Sequence, residues 1–232
     1  MRPITAFFVA ALAISLSVAA AAQSDSADWQ ACSGDTDSDS VIIARCNAVI
    51  RSEDSSAEHK AVAHKNLCLA YNDMGNHDRA IGECDEAIKL NPEDAEAFVF
   101  RGHAYFNKDD FDRAILDYDR AIALGSKAAT TLVQRAAAYH RKGDEDHAIA
   151  DLETAIQINP RDPIAFYLRA AAYQAVGLPD RAMQDFDSAL TLAPNFADAR
   201  YRRGILRKQM GDNAGAEKDI REARRLDPRL GK

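Results

Sequence analysis

The side chains best suited to redox or metal chemistry are four cysteines, all within the first 84 residues. They are Cys32, Cys46, Cys68 and Cys84. No two of them have the Cys-x-x-Cys spacing that metal and redox sites favour, so we expect no metal and no cofactor. Four cysteines allow three disulfide pairings, and buried free thiols are the alternative.

Six histidines are the remaining candidates for acid-base or metal chemistry: His59, His64, His77, His103, His140 and His147. None belongs to a His-x-x-x-His or His-Glu-x-x-His motif, and the chain has no glycine-rich phosphate loop and no nucleophile elbow. An enzymatic hypothesis would rest on His103 and His140, which we interpret as polar contacts of a binding surface. We therefore predict no catalytic residue and no enzyme.

Residues 1–22 predict export. Arg2 precedes an uncharged apolar run that ends in Ala20-Ala21-Ala22, which is the pattern of a secretory signal peptide cut after Ala22. An uncleaved anchor is the competing interpretation, because the run approaches the length of a membrane span. A lipoprotein is disfavoured, since no cysteine directly follows the cut. We expect a periplasmic or secreted protein without stable membrane insertion after signal removal.

The elements that position these side chains repeat with a period of 34 residues. Five units follow one another without a gap, at 61–94, 95–128, 129–162, 163–196 and 197–230. The eighth position of the unit is always small, and the twentieth and twenty-seventh positions are always alanine. A fixed period of this length is typical of a repeat protein.

Apolar and small residues recur twice at helical spacing within each unit, which predicts two helices per unit. In the second unit these residues are Phe98, Gly102 and Tyr105, then Ala114, Tyr118 and Ala121. They closely resemble the pattern of the tetratricopeptide repeat family. Departures are His64 and Arg200 at the fourth position and Gly125-Ser126 near the end of the second unit. The resemblance implies an all-α, right-handed α-solenoid of five helix-turn-helix repeats.

Residues 23–60 precede the first unit. Asp39 to Arg51 repeats the second-helix pattern, so we predict a degenerate N-terminal half repeat, followed by a linker over 52–59. The acidic run 35–39 lacks the glycine and the bidentate glutamate of a calcium loop, and we interpret it as a solvated linker.

The repeat positions narrow the cysteine pairing. Cys68 and Cys84 occupy the eighth and twenty-fourth positions of the first unit, on helices that face each other. A disulfide there would staple the hairpin and leave Cys32 to pair with Cys46.

Two further sets of charged residues recur in the units. Arginine fills the seventh position and an acid fills the twenty-third, which predicts ion pairs between packed helices. The arginines are Arg101, Arg135, Arg169 and Arg203, and the acids are Glu83, Asp117, Asp151, Asp185 and Asp219. In the fifth unit Glu217 and Arg224 replace apolar residues, which predicts a polar end to the stack.

In the family, the first helix of each unit lines the concave side of the superhelix, where partners bind. The corresponding positions predict a peptide-binding groove of Val99, His103, Phe106, Val133, Ala137, His140, Tyr167, Ala171, Tyr201 and Lys208. Its aromatic residues favour a protein or peptide with an apolar or amphipathic segment. The family's clamp for a C-terminal carboxylate is absent, because Lys65 is present but Leu69, Phe100, Thr130 and Gln134 replace its other members.

The formal net charge of −7 makes nucleic acid and anionic membrane surfaces poor partners. We therefore predict an exported scaffold or adaptor for envelope assembly. The alternative is a structural homo-oligomer that buries its own groove.

Overall fold

The structure is a computed structural model, which describes residues 29–32, 38–126 and 129–231. These residues are mostly helical and include no strand. The expected signal peptide at 1–22 and residues 35–37 of the acidic run lie outside the described residues.

After a short helical stretch at 29–32, the described chain forms eleven longer helices. They are α1 (Asp39–Arg51), α2 (Ala57–Asp73), α3 (His77–Leu90), α4 (Ala95–Asn107), α5 (Phe111–Ala123), α6 (Ala129–Lys142), α7 (Glu145–Ile158), α8 (Pro163–Ala175), α9 (Pro179–Leu192), α10 (Ala197–Gln209) and α11 (Asn213–Leu226).

The helices begin at a constant interval. The even-numbered helices from α4 onward begin at Ala95, Ala129, Pro163 and Ala197, each 34 residues after the one before. Helix α2 is the exception, because it begins at Ala57 and so replaces the end of the linker predicted at 52–59. The Ser56 side chain caps it by accepting a hydrogen bond of 3.1 Å from the His59 amide.

Short polar side chains also cap α3, α4, α7, α8 and α11. Asp94 caps α4 by accepting hydrogen bonds from the amides of Glu96 and Ala97, and Asp162 caps α8 in the same way. The first helix of each repeat is followed by a residue in the left-handed conformation. This residue is a glycine after α2, α6, α8 and α10, and it is Asp109, with φ 57°, after α4.

The helices form two compact units, of which unit 1 ends at residue 110 and contains α1 to α4. Its core is built around both disulfides, with Val49, Leu67 and Tyr71 buried beside them. The bonds join Cys32 to Cys46 and Cys68 to Cys84, with Cα–Cα distances of 4.9 and 5.3 Å. Both predicted pairings are confirmed, and no described cysteine is free.

Unit 2 begins at residue 111 and contains α5 to α11. Its core combines buried alanines with Leu152, Phe186 and Leu206. Small residues at the contacts let the helix axes approach closely. At Gly204 a Cβ atom would lie 2.8 Å from the side chain of Ile220, so only glycine fits between α10 and α11.

Helix α11 has an exposed polar face. Glu217 and Arg224 on α11 are both exposed, as the replacement of apolar residues at these positions predicts. Among the described helices, none combines the length and the hydrophobicity that a membrane crossing requires.

Candidate peptide-binding face

Ion pairs between the two helices of a hairpin hold the binding face in position. Arg135 donates from Nε and Nη2 to Asp151 at 2.8 and 2.7 Å, and Arg169 donates to Asp185 at 2.8 and 2.9 Å. Arg203 forms the same two hydrogen bonds with Asp219 at 2.8 and 2.7 Å. The aspartates are buried and the arginines are partly buried, so the paired charges fix the register of each hairpin.

Arg135 and Arg203 each have a second partner that the sequence pattern did not predict. Arg135 Nη1 lies 2.5 Å from Asp119 Oδ1 on α5, and Arg203 Nη1 lies 2.7 Å from Asp187 Oδ1 on α9. Each guanidinium therefore also binds the helix that precedes its own hairpin. The hydrogen bonds from Arg135 to Asp151 and Asp119 raise its pKa well above the usual range, despite the opposing effect of burial.

In the first 34-residue repeat, residues 61–94, the pattern changes because buried Leu67 occupies the arginine position. The acid at the twenty-third position, Glu83, instead lies 2.7 Å from His64 Nδ1. Lys65, the one member of the carboxylate clamp that the chain retains, lies 3.1 Å from Asp94 and 2.7 Å from Glu96. Its charge is therefore satisfied within the protein, which agrees with the absence of that clamp.

A surface pocket of about 340 Å³ lies between α8 and α10 in unit 2. Its lining residues are Tyr167, Gln174, Asp198, Tyr201, Arg202, Ile205 and Leu230. Helical spacing explains the set, because Tyr201 and Ile205 lie one turn apart on α10, and Tyr167 and Gln174 lie two turns apart on α8. We call these seven residues the tyrosine pocket.

The aromatic wall of the tyrosine pocket is anchored in the core of unit 2. The Tyr167 ring lies 4.9 Å from the Phe196 ring and 6.2 Å from the buried Phe186 ring. The guanidinium of Arg202 lies over the Tyr167 ring, 5.8 Å from the ring centre. Tyr167 and Tyr201 remain partly exposed, so the pocket offers aromatic surface to a ligand.

Leu230 was not among the predicted groove residues. It follows α11 in the C-terminal segment, and its carbonyl oxygen accepts a hydrogen bond of 3.3 Å from Arg224 Nε. The repeat pattern does not predict this contact, because Leu230 lies in the segment that follows α11. The contact brings an aliphatic side chain to the edge of the tyrosine pocket.

The other predicted groove residues of unit 2 differ in how much surface they present. Val133 is 7% exposed and Ala171 is 5% exposed, so both contribute to packing and offer almost no surface to a ligand. Ala137 and His140 are half-buried, and Lys208 is exposed at the end of α10.

The predicted groove residues of unit 1 all lie on α4. They are Val99, His103 and Phe106, and each is half-buried. The Asn72 side chain fixes this helix by donating a hydrogen bond of 2.9 Å to the carbonyl oxygen of Phe100. Unit 1 therefore carries its own, separate part of the predicted surface.

The histidines of the described chain have individual, structural partners. His140 lies 2.8 Å from Glu145, His147 lies 2.8 Å from Asp144, and the His59 ring stacks on Trp29. Within the described ranges, no group of three His, Cys, Asp or Glu residues is arranged to hold a metal ion.

Solved structures with the same fold include YrrB, MamA and PilF. The structure of YrrB, titled a TPR protein with an unusual peptide-binding site, has a TM-score of 0.62 and 19% identity, and the match covers 80% of this chain and 93% of YrrB. MamA of Desulfovibrio magneticus RS-1 gives 0.65 and 20%, with 75% of this chain and 98% of MamA covered. PilF of Pseudomonas aeruginosa gives 0.67 and 19%, with 74% and 78% covered. This likeness shows a helical solenoid.

No curated protein matches the sequence. Three tetratricopeptide repeat families do match, over residues 67–129, 101–172 and 164–196. Together the matches run from residue 67 to residue 196, which is more than half of the chain, and they include both helical units. Since the helix spacing, the solved structures and these family matches agree, the chain belongs to the tetratricopeptide repeat family.

Proposed function

We propose that this protein is an exported scaffold that binds a protein or peptide partner through its first helices. The observation that carries the proposal is the tyrosine pocket, in which Tyr167 and Tyr201 are partly exposed and the Tyr167 ring packs against Phe186 and Phe196. Rigid aromatic side chains contribute much contact area at little cost in conformational entropy. The ligand of this pocket is an apolar or amphipathic segment.

Export is the second part of the proposal. Two disulfides support an oxidising compartment, and the sequence of residues 1–22 supports a signal peptide cut after Ala22. The protein then acts in the periplasm or outside the cell, as an adaptor in the assembly of the bacterial envelope. The five 34-residue units of residues 61–230 supply the scaffold, and no part of the proposal requires catalysis.

Affinity capture from an envelope extract tests the binding proposal. We compare the purified, oxidised protein with a Tyr167→Ala/Tyr201→Ala variant, and expect the variant to lose the captured partner. The matched control is Leu116→Ala/Ile158→Ala, which removes apolar side chains that are 65% and 54% exposed outside the predicted groove. Circular dichroism spectra of all three proteins check that each is folded.

Equal capture by the wild type and the tyrosine variant contradicts the proposal, and so does loss of the partner in the control alone. Light scattering on the wild type tests the homo-oligomer alternative. A stable dimer that the tyrosine substitutions dissociate would show that the pocket is filled by a second copy of the chain.

A further inference from the structure

Two cations on α10 lack the acidic partner that neighbouring arginines have. Arg203 and Arg207 both bind Asp219, at 2.7 and 3.0 Å. Arg202 and Lys208 are exposed, and no carboxylate in the described part of the chain forms an ion pair with either. The contact recorded for Arg202 is with the ring of Tyr167.

Both cations lie beside the tyrosine pocket. Arg202 is part of its lining. Lys208 follows Tyr201 by two helical turns and Ile205 by one, so these three residues form one stripe along α10. The stripe runs from an aromatic ring through an aliphatic side chain to an ammonium group.

The charge of the chain is distributed unevenly. Residues 197–231 carry ten Lys and Arg against six Asp and Glu, whereas the whole chain has 29 against 36. The rest of the protein is therefore strongly acidic and repels anions, while this last hairpin attracts them. An anionic ligand is therefore attracted to the hairpin of α10 and α11.

One acid, Asp198, also lines the tyrosine pocket, and its negative charge interacts with the positive charge of Arg229. Its negative charge contributes to raising the pKa of Arg229 in the C-terminal segment, after the larger effect of the Asp227 carboxylate. Asp198 lies at the start of α10, one turn before Arg202 and nearly three turns before Lys208. The cationic end of the stripe is therefore separated from this acid.

We propose that the partner segment is an acidic amphipathic peptide, whose apolar side chains fill the tyrosine pocket while its Asp or Glu side chains bind Arg202 and Lys208. This proposal rests on the proposed function and specifies its ligand class. It differs from recognition of a C-terminal carboxylate, because the anionic groups are side chains within the segment.

The test uses fluorescence anisotropy with the purified, oxidised protein. The probe is a fluorescein-labelled, C-terminally amidated 12-residue peptide in which Glu alternates with Phe and Leu, and its partner has Gln in place of each Glu. At low ionic strength we expect the Glu peptide to bind about 10-fold more tightly than the Gln peptide, and salt to remove the difference.

Two variants with the same change in charge separate a local site from general attraction. Arg202→Gln/Lys208→Gln should bind both peptides equally and with the affinity of the wild type for the Gln peptide. Lys218→Gln/Arg221→Gln removes two exposed cations from α11 and should retain most of the preference. The proposal is overturned if the two variants lose the preference for the Glu peptide equally, or if the wild type binds both peptides with equal affinity.

The outcomes also separate this inference from the proposed function. If the Gln peptide binds through Tyr201 and the Glu peptide binds no better, the acidic ligand is wrong and the binding function stands. If neither peptide binds, the acidic ligand class is overturned, and the capture experiment decides the function by itself. Sedimentation of the protein alone provides a last check, since a dimer that Arg202→Gln/Lys208→Gln dissociates would identify a second copy as the acidic partner.

Discussion

The bidentate pair between Arg169 and Asp185 offers a direct test of what holds the hairpins in register. Asp185 is 6% exposed, and both of its carboxylate oxygens accept a hydrogen bond from Arg169. Arg169→Met removes the partner and leaves a buried carboxylate without its counter-charge. Arg169→Met/Asp185→Leu removes both charges and fills the space with apolar atoms.

The single substitution should cost about 2–4 kcal/mol of unfolding free energy, because an unpaired buried charge is usually worth 3–5 kcal/mol and Arg169 keeps some contact with water. For a chain of this size, that cost lowers the melting temperature by roughly 5–12 °C. The double substitution should restore stability to within about 1 kcal/mol of the wild type, since an apolar pair avoids the cost of desolvating two ions.

Circular dichroism at 222 nm, followed during heating and in urea, measures these differences for Arg169→Met, Asp185→Leu and the double variant. Asp85→Ala is the control, because Asp85 is exposed and its pair with Arg101 should contribute less than about 1 kcal/mol. A double variant whose loss equals the sum of the single losses would refute the argument, because the two side chains would then not act as a pair.

Four further predictions follow from the packing and the charges. Gly204→Val should destabilise the protein by about 1–3 kcal/mol in urea titrations, because any Cβ atom meets α11. Glu217→Ile/Arg224→Ile should make the protein self-associate in light scattering, because these substitutions turn the polar end of the stack into an apolar face; a monomer would contradict the role of the end as a cap. Trp29 is the only tryptophan, and its ring stacks on the ring of His59, so reducing the N-terminal disulfide should shift its fluorescence to longer wavelength. Burial by itself would lower the pKa of Lys65, but its hydrogen bonds to two carboxylates outweigh that effect and raise the pKa above 10.5. The stabilisation is therefore complete below pH 10.5 and is lost as the pH rises through the raised value, a loss that Lys65→Met should not show in alkaline unfolding curves.

The repeating positions of the sequence allowed the helices and the disulfides to be predicted. The alanines and other small residues recur because antiparallel helices must approach closely, so their spacing predicts the packing of the helices. The pairing of Cys68 with Cys84 followed from the same positions. Helix α1 also begins and ends where the half-repeat pattern does, at Asp39 and Arg51.

Contacts between hairpins were harder to predict from the sequence. The link from Arg135 to Asp119 joins different repeats, and an acid at that position also fits an exposed surface. Val133 and Ala171 occupy predicted groove positions, yet neighbouring helices cover them. The position of Leu230 depends on the path of a segment that no repeat governs. Which residues of a repeat remain exposed is therefore decided by packing that the repeat pattern does not record.

Because both disulfides lie in unit 1, the helices of unit 1 and unit 2 should differ in how readily they open locally. Helices open locally more readily where only noncovalent contacts hold them than where a covalent bond joins them to a neighbour. The Cys32–Cys46 bond joins the stretch 29–32 to α1 and the Cys68–Cys84 bond joins α2 to α3, whereas noncovalent contacts alone hold α11 against α10. Amide hydrogen exchange should therefore be faster in α10 and α11, which carry part of the tyrosine pocket, than in the cross-linked helices α2 and α3. A partner bound in the tyrosine pocket would then slow the local opening of these helices.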